Sequence, residues 1–149
     1  MLVRVLVDDR VEKFEVAEDE TFVFFQGIVG FEEHTRYALF ELEKPYYLLQ
    51  STDDPHVGFV LAHPSLSGQI YNPAISDEDK ELLELDTDAP VDFLCIVTLS
   101  GNGMPETMNM RAPVVFNRNK MRGAQVILQD SKYSLRYPIS GCKDSGGIE

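Results

Sequence analysis

The sequence predicts an all-β fold: a compact antiparallel β-barrel-like single domain with one short helix at about residues 76–85. Short runs of β-branched and aromatic residues recur about every ten positions, and turn-forming Gly, Pro, Asn or Asp residues separate them. Many short strands at this spacing are typical of an antiparallel barrel or sandwich. A chain of 149 residues also buries roughly 68–70% of its unfolded surface when it folds. It therefore needs neither a metal nor a disulfide for stability.

The first half of the chain contains six predicted strands. Residues 2–7 and 11–16 flank the turn residues 8–10, and this pattern predicts a hairpin. Gly27 and Gly30 follow the third strand, where they permit positive φ values and a tight change of direction. The other four strands are residues 21–25, 36–42, 46–51 and 57–62.

The second half begins with the predicted helix. Ser76 is followed three residues later by Asp79, an arrangement similar to a capping box, and acids in a first turn suit the positive end of a helix dipole. Leu82, Leu83 and Leu85 then face the sheet. Five further predicted strands complete the domain: residues 91–99, 105–110, 114–116, 124–128 and 133–137.

The chain carries a formal net charge of −12, from 25 acids and 13 bases. Binding of nucleic acid requires Lys and Arg to neutralise phosphates, so direct contact with nucleic acid is not expected. A basic protein partner fits such a surface better. The alternative is that the acids only keep the protein soluble.

The domain is predicted to span residues 1–139, and the Gly-rich residues 140–149 are expected to form a flexible C-terminal tail. Cys95 lies in an apolar run and Cys142 in the tail, so we expect no disulfide and a reducing compartment. Residues 1–4 do not resemble the start of a secretory leader, and no apolar stretch reaches about 18 residues. The expected location is the cytoplasm, without membrane contact.

No arrangement typical of catalysis or cofactor binding is visible in the sequence. A G-x-S-x-G motif is absent, Cys95 has no neighbouring His, and no Gly-Lys-Ser/Thr follows Gly30. The histidines His34, His56 and His63 do not have the spacing of zinc ligands. We therefore expect no enzymatic activity, no cofactor and no metal. Two alternatives stay open: a small β-barrel enzyme that is hydrolase-like, and a barrel that binds a small apolar ligand.

Five phrases, in order along the chain, resemble the flagellar assembly factor FliW family. They are FQGIVGF at residues 25–31, LQSTDDP at 49–55, GFVLAHP at 58–64, NMRAPVVFN at 109–117, and GAQVIL at 123–128 followed by Tyr133. The resemblance extends over about residues 20–138. Where this chain has Val29, the family usually has Pro. Where it has Met108 and Met110, the family usually has small residues or Leu. These exchanges are all apolar, so the expected fold is unchanged.

The resemblance implies a compact β-barrel-like protein without a cofactor, which acts in the bacterial cytoplasm as a flagellar assembly factor with chaperone and regulatory roles. It implies two protein partners. One is flagellin before export, and the other is the carbon storage regulator CsrA, an RNA-binding repressor of flagellin translation. Family members bind CsrA and relieve the repression, and accumulating flagellin competes for them and restores it.

Six residues in loops or at strand ends are candidate contacts for a protein partner: Asp53, Asp54, His56, Asn109, Pro113 and Asn117. The first three lie in a loop between two apolar strands, where binding residues concentrate. The last three belong to the fourth family phrase. The alternatives are a plain tight turn for the first group and a turn-shaping role for the second. The acidic helix is a further candidate contact.

Overall fold

Eleven β-strands and one α-helix form in the part of the chain that the computed structural model describes, residues 1–86, 90–130 and 132–139. The strands are β1 (Leu2–Val7), β2 (Arg10–Glu15), β3 (Thr21–Val23), β4 (Arg36–Glu41), β5 (Tyr46–Ser51), β6 (Gly58–Ala62), β7 (Asp92–Leu99), β8 (Pro105–Met108), β9 (Val114–Asn117), β10 (Arg122–Gln125) and β11 (Tyr137–Pro138). The helix is α1 (Asp77–Leu82), and 3₁₀ turns lie at Glu18–Glu20 and Pro64–Ser67. The tail predicted at residues 140–149 lies outside the described residues.

Seven strands close into a barrel in the order β3, β4, β5, β6, β7, β9 and β10, with β10 beside β3 again. Six of the seven pairings are antiparallel, and the closing pair, with Arg122 opposite Val23, is parallel. An odd number of strands that alternate in direction must end with the last strand parallel to the first. The predicted all-β barrel is thus confirmed, and its closing pair differs from the antiparallel pairing that the sequence predicts.

Strand β7 uses one edge for two partners. Its first residues pair with β9, and its last residues pair with β8, to which β11 adds. Between β8 and β9 the chain leaves the sheet at residues 109–113. The predicted strand at residues 133–137 forms only at Tyr137–Pro138, and Tyr133 is instead a buried residue outside the sheet whose ring packs against Tyr71, with centroids 4.9 Å apart.

The N-terminal hairpin confirms the predicted turn. Asp8 and Asp9 have φ values of 48° and 66°, as a two-residue type I′ connection requires. Val3 and Val5 of β1 are buried against Ala38, which faces outward from the barrel. The hairpin is therefore a separate two-stranded layer that covers part of the outer surface of the barrel.

Apolar side chains from six of the seven barrel strands and from two loops fill its interior. They form one cluster of buried residues: Phe22, Phe24, Ile28, Tyr37, Leu49, Val57, Leu61, Leu94, Val114 and Phe116. Gly123 of β10 has to be glycine because a Cβ atom there would lie 2.3 Å from the Phe24 ring. The cluster occupies the space in which a ligand-binding barrel would hold its ligand. Burial in it raises the pKa of Tyr37 to about 12.

Helix α1 is shorter than predicted but begins where the sequence indicates. The Ser76 Oγ atom accepts the Asp79 N–H at 3.2 Å, which satisfies a donor of the first turn. After Leu82 the chain turns through Glu84, which has a φ of 54°, and the Leu85 N–H bonds back to the Lys80 carbonyl. The predicted end at residue 85 is wrong because the last leucines turn onto the barrel.

Candidate protein-binding site

The loop between β5 and β6, residues 52–57, is called the polar loop below. Buried Gln50 holds its backbone, because the Nε2 group of Gln50 donates to the carbonyls of Ser51, Asp54 and Val57 at 3.2, 3.0 and 3.0 Å. The Ser51 Oγ atom accepts the N–H groups of Asp53 and Asp54 at 3.1 and 3.3 Å. The backbone of the polar loop is therefore held by two buried side chains of β5, Gln50 and Ser51.

Three polar side chains of the polar loop, those of Asp53, Asp54 and His56, point toward solvent. Asp53 and His56 are exposed, and Asp54 is partly exposed. The His56 N–H donates to the Asp54 carboxylate at 2.9 Å, and this bond holds the pKa of Asp54 below its usual value, with smaller contributions from the His56 and His34 rings. Arg4 of the hairpin donates to the Asp53 carbonyl at 3.2 Å. A rigid loop thus presents two carboxylates and an imidazole at one tip.

The other three candidate residues make structural contacts. The Asn109 Oδ1 atom accepts the N–H groups of Arg111 and Ala112 at 3.1 and 2.9 Å, which shapes the turn before Pro113, itself buried. Asn117 is 1% exposed, and its Nδ2 group donates to the Leu83 carbonyl at 2.8 Å, just after α1. Contact between these residues and a partner stays an untested prediction, and the geometry gives each of them a turn-shaping or bracing role.

The described residues contain no convergence of three or more His, Cys, Asp or Glu side chains that could hold a metal ion. Burial raises the pKa of Cys95 to about 12, although a hydrogen bond with Tyr71 opposes the shift. That thiol stays protonated near neutral pH and is a poor nucleophile. No helix in the described part of the chain is long and apolar enough to cross a membrane.

The loop between β3 and β4, residues 24–35, is called the apolar loop below. Gly27 and Gly30 have φ values of 70° and 89°, so the expected change of direction is present. A Cβ atom at Gly27 would lie 2.7 Å from the Glu32 Cα atom. Phe24 and Ile28 are buried in the barrel interior, whereas their neighbours Phe25 and Val29 point outward.

Three exposed apolar side chains, which sequence reasoning missed, lie on the apolar loop and on the segment after β10. Phe25, Val29 and Ile127 are 56, 67 and 54% exposed. The Gln125 side chain joins the two elements that carry them, because its Oε1 atom accepts the Val29 N–H at 3.1 Å and its Nε2 group donates to the Ala112 carbonyl at 3.2 Å. These three residues are called the apolar patch below. One signal was visible: in Phe24-Phe25 and Ile28-Val29, two adjacent apolar residues cannot both face the interior.

A groove of about 760 Å³ lies beside the apolar patch. Two segments line it, residues 72–76 and 78–79 before and into α1 and residues 125–130 and 132–133 at the end of β10 and beyond, together with Gln26. Its apolar residues include Ile75, Ile127 and Leu128, and its margin carries the acids Glu78, Asp79 and Asp130. Below it is called the acid-rimmed groove.

The chain matches known proteins over nearly its whole length. The family model described as FliW protein covers residues 6–139. The flagellar assembly factor FliW of Syntrophus aciditrophicus (strain SB) is 36% identical over 132 residues, which cover 87% of this chain and 84% of that protein. The same factor of Thermotoga neapolitana is 35% identical over 135 residues, which cover 88% and 90%.

The fold agrees with a solved structure as well. A crystal structure of the flagellar assembly factor FliW matches with a TM-score of 0.78 at 30% identity, and the match covers 91% of this chain and 95% of that one. The resemblance seen in the sequence is thereby confirmed, and the chain belongs to the FliW family of flagellar assembly factors.

Proposed function

We propose that this protein binds flagellin and the translational repressor CsrA in the bacterial cytoplasm, and that it relieves repression of flagellin synthesis by holding CsrA. Flagellin that accumulates before export competes for the protein and releases CsrA again. Membership of the FliW family, shown by the match over residues 6–139, carries this proposal, because both partners follow from the resemblance. The protein then acts by binding and not by catalysis.

The charge of the protein supports the proposal. A net charge of −12 repels the phosphates of messenger RNA, so the protein does not compete with CsrA for its target. An RNA-binding repressor presents basic surface, and opposite charges on two partners speed their encounter and select the correct partner. The acids therefore suit a partner of the CsrA type better than they suit any nucleic acid.

The shape of the protein supports it too. The polar loop and the apolar patch are exposed on a barrel whose interior is filled by side chains. Binding residues on a rigid scaffold lose little freedom when a partner docks, which favours affinity. We propose Asp53, Asp54 and His56 of the polar loop as contacts with one of the two partners.

Titration calorimetry with purified CsrA tests the proposal. We expect binding at about 50 mM NaCl that weakens at least tenfold at about 500 mM NaCl, because salt screens exposed charges. The same titration with monomeric flagellin, alone and after saturation with CsrA, tests whether the partners compete. Absence of binding to both proteins at low salt would contradict the proposed function. If the affinity for CsrA is the same at both NaCl concentrations, the proposed function stands but its electrostatic explanation is wrong.

A further inference from the structure

We propose that the acid-rimmed groove, continued by the apolar patch, is a docking site for an amphipathic helical segment of a partner protein. That segment presents a row of aliphatic side chains to the groove and Lys or Arg side chains to its margin. The inference rests on the proposed function only in treating this protein as one that binds other proteins. It names a surface and a ligand chemistry separate from the polar loop.

Ile127 is an exposed apolar residue in the lining of the groove. Its neighbours Val126 and Leu128 are buried, so the chain turns Ile127 outward, where it lines the groove. A single exposed isoleucine is ordinary on a protein surface. Here Gln125 ties the segment that carries Ile127 to the Val29 N–H of the apolar loop, whose Phe25 and Val29 side chains are also more than half exposed. Exposed apolar side chains grouped on two joined elements mark an interaction site.

The charge of the margin selects the partner. Glu78 and Asp79 stand on one wall of the groove and Asp130 on the other. Lys132 is the one basic residue among the described residues that line it, and its Nζ atom lies 3.6 Å from the Asp130 carboxylate. The margin therefore keeps a net negative charge. It attracts a cationic segment and repels an acidic one.

The groove is formed before any partner arrives. The Val126 N–H bonds to the Pro113 carbonyl at 2.9 Å, and the Leu128 N–H bonds to the Arg111 carbonyl at 2.8 Å, which holds one wall to the barrel. A volume of about 760 Å³ lies in the range of sites that receive several side chains. An amphipathic helix fills such a groove with residues spaced three and four apart.

Fluorescence anisotropy with two synthetic peptides tests the inference. One is an amphipathic helical peptide of roughly 14 residues made of Leu and Lys, and the other has the same pattern with Glu in place of Lys. The proteins are the unaltered chain, the patch double variant Val29→Ser/Ile127→Ser, and the matched control Leu99→Ser/Met104→Ser. The control removes two other exposed apolar side chains, and neither residue lines the groove.

We expect the Leu/Lys peptide to bind the unaltered protein and the control with affinities within about twofold of each other. The patch variant should bind the Leu/Lys peptide at least about tenfold more weakly than the unaltered protein does. The unaltered protein should also bind the Leu/Glu peptide at least about tenfold more weakly than the Leu/Lys peptide. Circular dichroism melting of each variant shows whether it is folded at the temperature of the titration. Absence of Leu/Lys binding, equal binding by the patch variant and the control, or equal binding of both peptides would overturn the docking site.

Titration of the unaltered protein with CsrA and flagellin in parallel separates this inference from the proposed function. If the protein binds both native partners but not the Leu/Lys peptide, the proposed docking site is wrong and the proposed function stands. A protein that binds the peptide through Val29 and Ile127 but neither native partner contradicts the proposed function alone.

Discussion

The apolar loop and the polar loop lie at the same end of the barrel but are built in opposite ways. Both follow strands that run in the same direction, and they meet where the His34 Nδ1 and Ser51 Oγ atoms lie 3.2 Å apart. In the polar loop a buried amide, Gln50, holds the backbone while charged side chains face solvent. In the apolar loop buried Phe24 and Ile28 hold the backbone while other apolar side chains face solvent.

The difference shows that a loop can be rigid by two independent means. One uses hydrogen bonds from a buried side chain to loop carbonyls, and removal of that side chain takes one donor from each of these carbonyls. The other uses apolar anchors and two residues at positive φ, a backbone conformation that favours glycine. Each means predicts a different response to substitution. In both loops, the side chains that face solvent belong to residues that do not anchor the backbone.

Gly27→Ala should have the largest effect, because it attacks the anchoring of the apolar loop. The new Cβ atom meets the Glu32 backbone at 2.7 Å while the residue keeps a left-handed φ of 70°. Steric overlap and backbone strain together should lower the free energy of unfolding by about 3 kcal/mol. Urea denaturation monitored by circular dichroism measures this loss.

Gly30→Ala is the matched control, since that residue also has a positive φ, 89°, but no atom within 4 Å of the added Cβ. It should cost only about 1 kcal/mol from backbone strain. If the two variants unfold at the same urea concentration, the close approach at Gly27 does not anchor the loop.

Gln50→Leu should have an intermediate effect, because it removes the amide that holds the polar loop and keeps the volume of the side chain. The carbonyls of Asp54 and Val57 lose a donor, at a cost of about 2 kcal/mol. Hydrogen exchange should accelerate at residues 52–57 more than at residues 24–35. Gln69→Leu, at an exposed position, is the control and should leave both loops unchanged. Uniform acceleration across both loops would contradict separate anchoring.

The double variant Asp53→Ala/His56→Ala should have the smallest effect on stability, because both side chains are exposed. The free energy of unfolding should change by no more than about 0.5 kcal/mol. Binding to flagellin or CsrA should nevertheless weaken by at least about tenfold, or roughly 1.4 kcal/mol, in calorimetric titrations. Asp19→Ala, which removes one exposed acid elsewhere, controls for the change in net charge. A double variant that melts normally and binds both partners like the parent shows that the polar loop is only a turn.

Much of the fold could be predicted from the sequence because many elements begin with local interactions. The Asp8-Asp9 turn depends on residues that tolerate positive φ, and the start of α1 depends on a hydrogen bond between Ser76 and Asp79. The short apolar runs between turn residues also placed the barrel strands to within a few residues. Each of these signals comes from residues that lie close together in the sequence.

The tertiary structure alone decided how those elements close and which residues remain outside. The parallel pair of β3 and β10 follows from the number of strands in the ring, which no local pattern encodes. Asn117 has a turn-like sequence context, yet it braces the end of α1 because the barrel brings Leu83 to it across 34 positions of the chain.

The sequence predicted the polar residues of the candidate site but not its apolar residues. Asp53, Asp54 and His56 lie in a loop of acids and Pro between two apolar strands, and such a loop must be exposed. Phe25, Val29 and Ile127 look like core residues in the sequence, since apolar residues are usually buried. Which member of an adjacent apolar pair faces water depends on what distant strands place against it. By itself, therefore, the sequence determined the strands, the helix start and the polar loop, whereas long-range packing decided the closure, the helix end and the apolar patch.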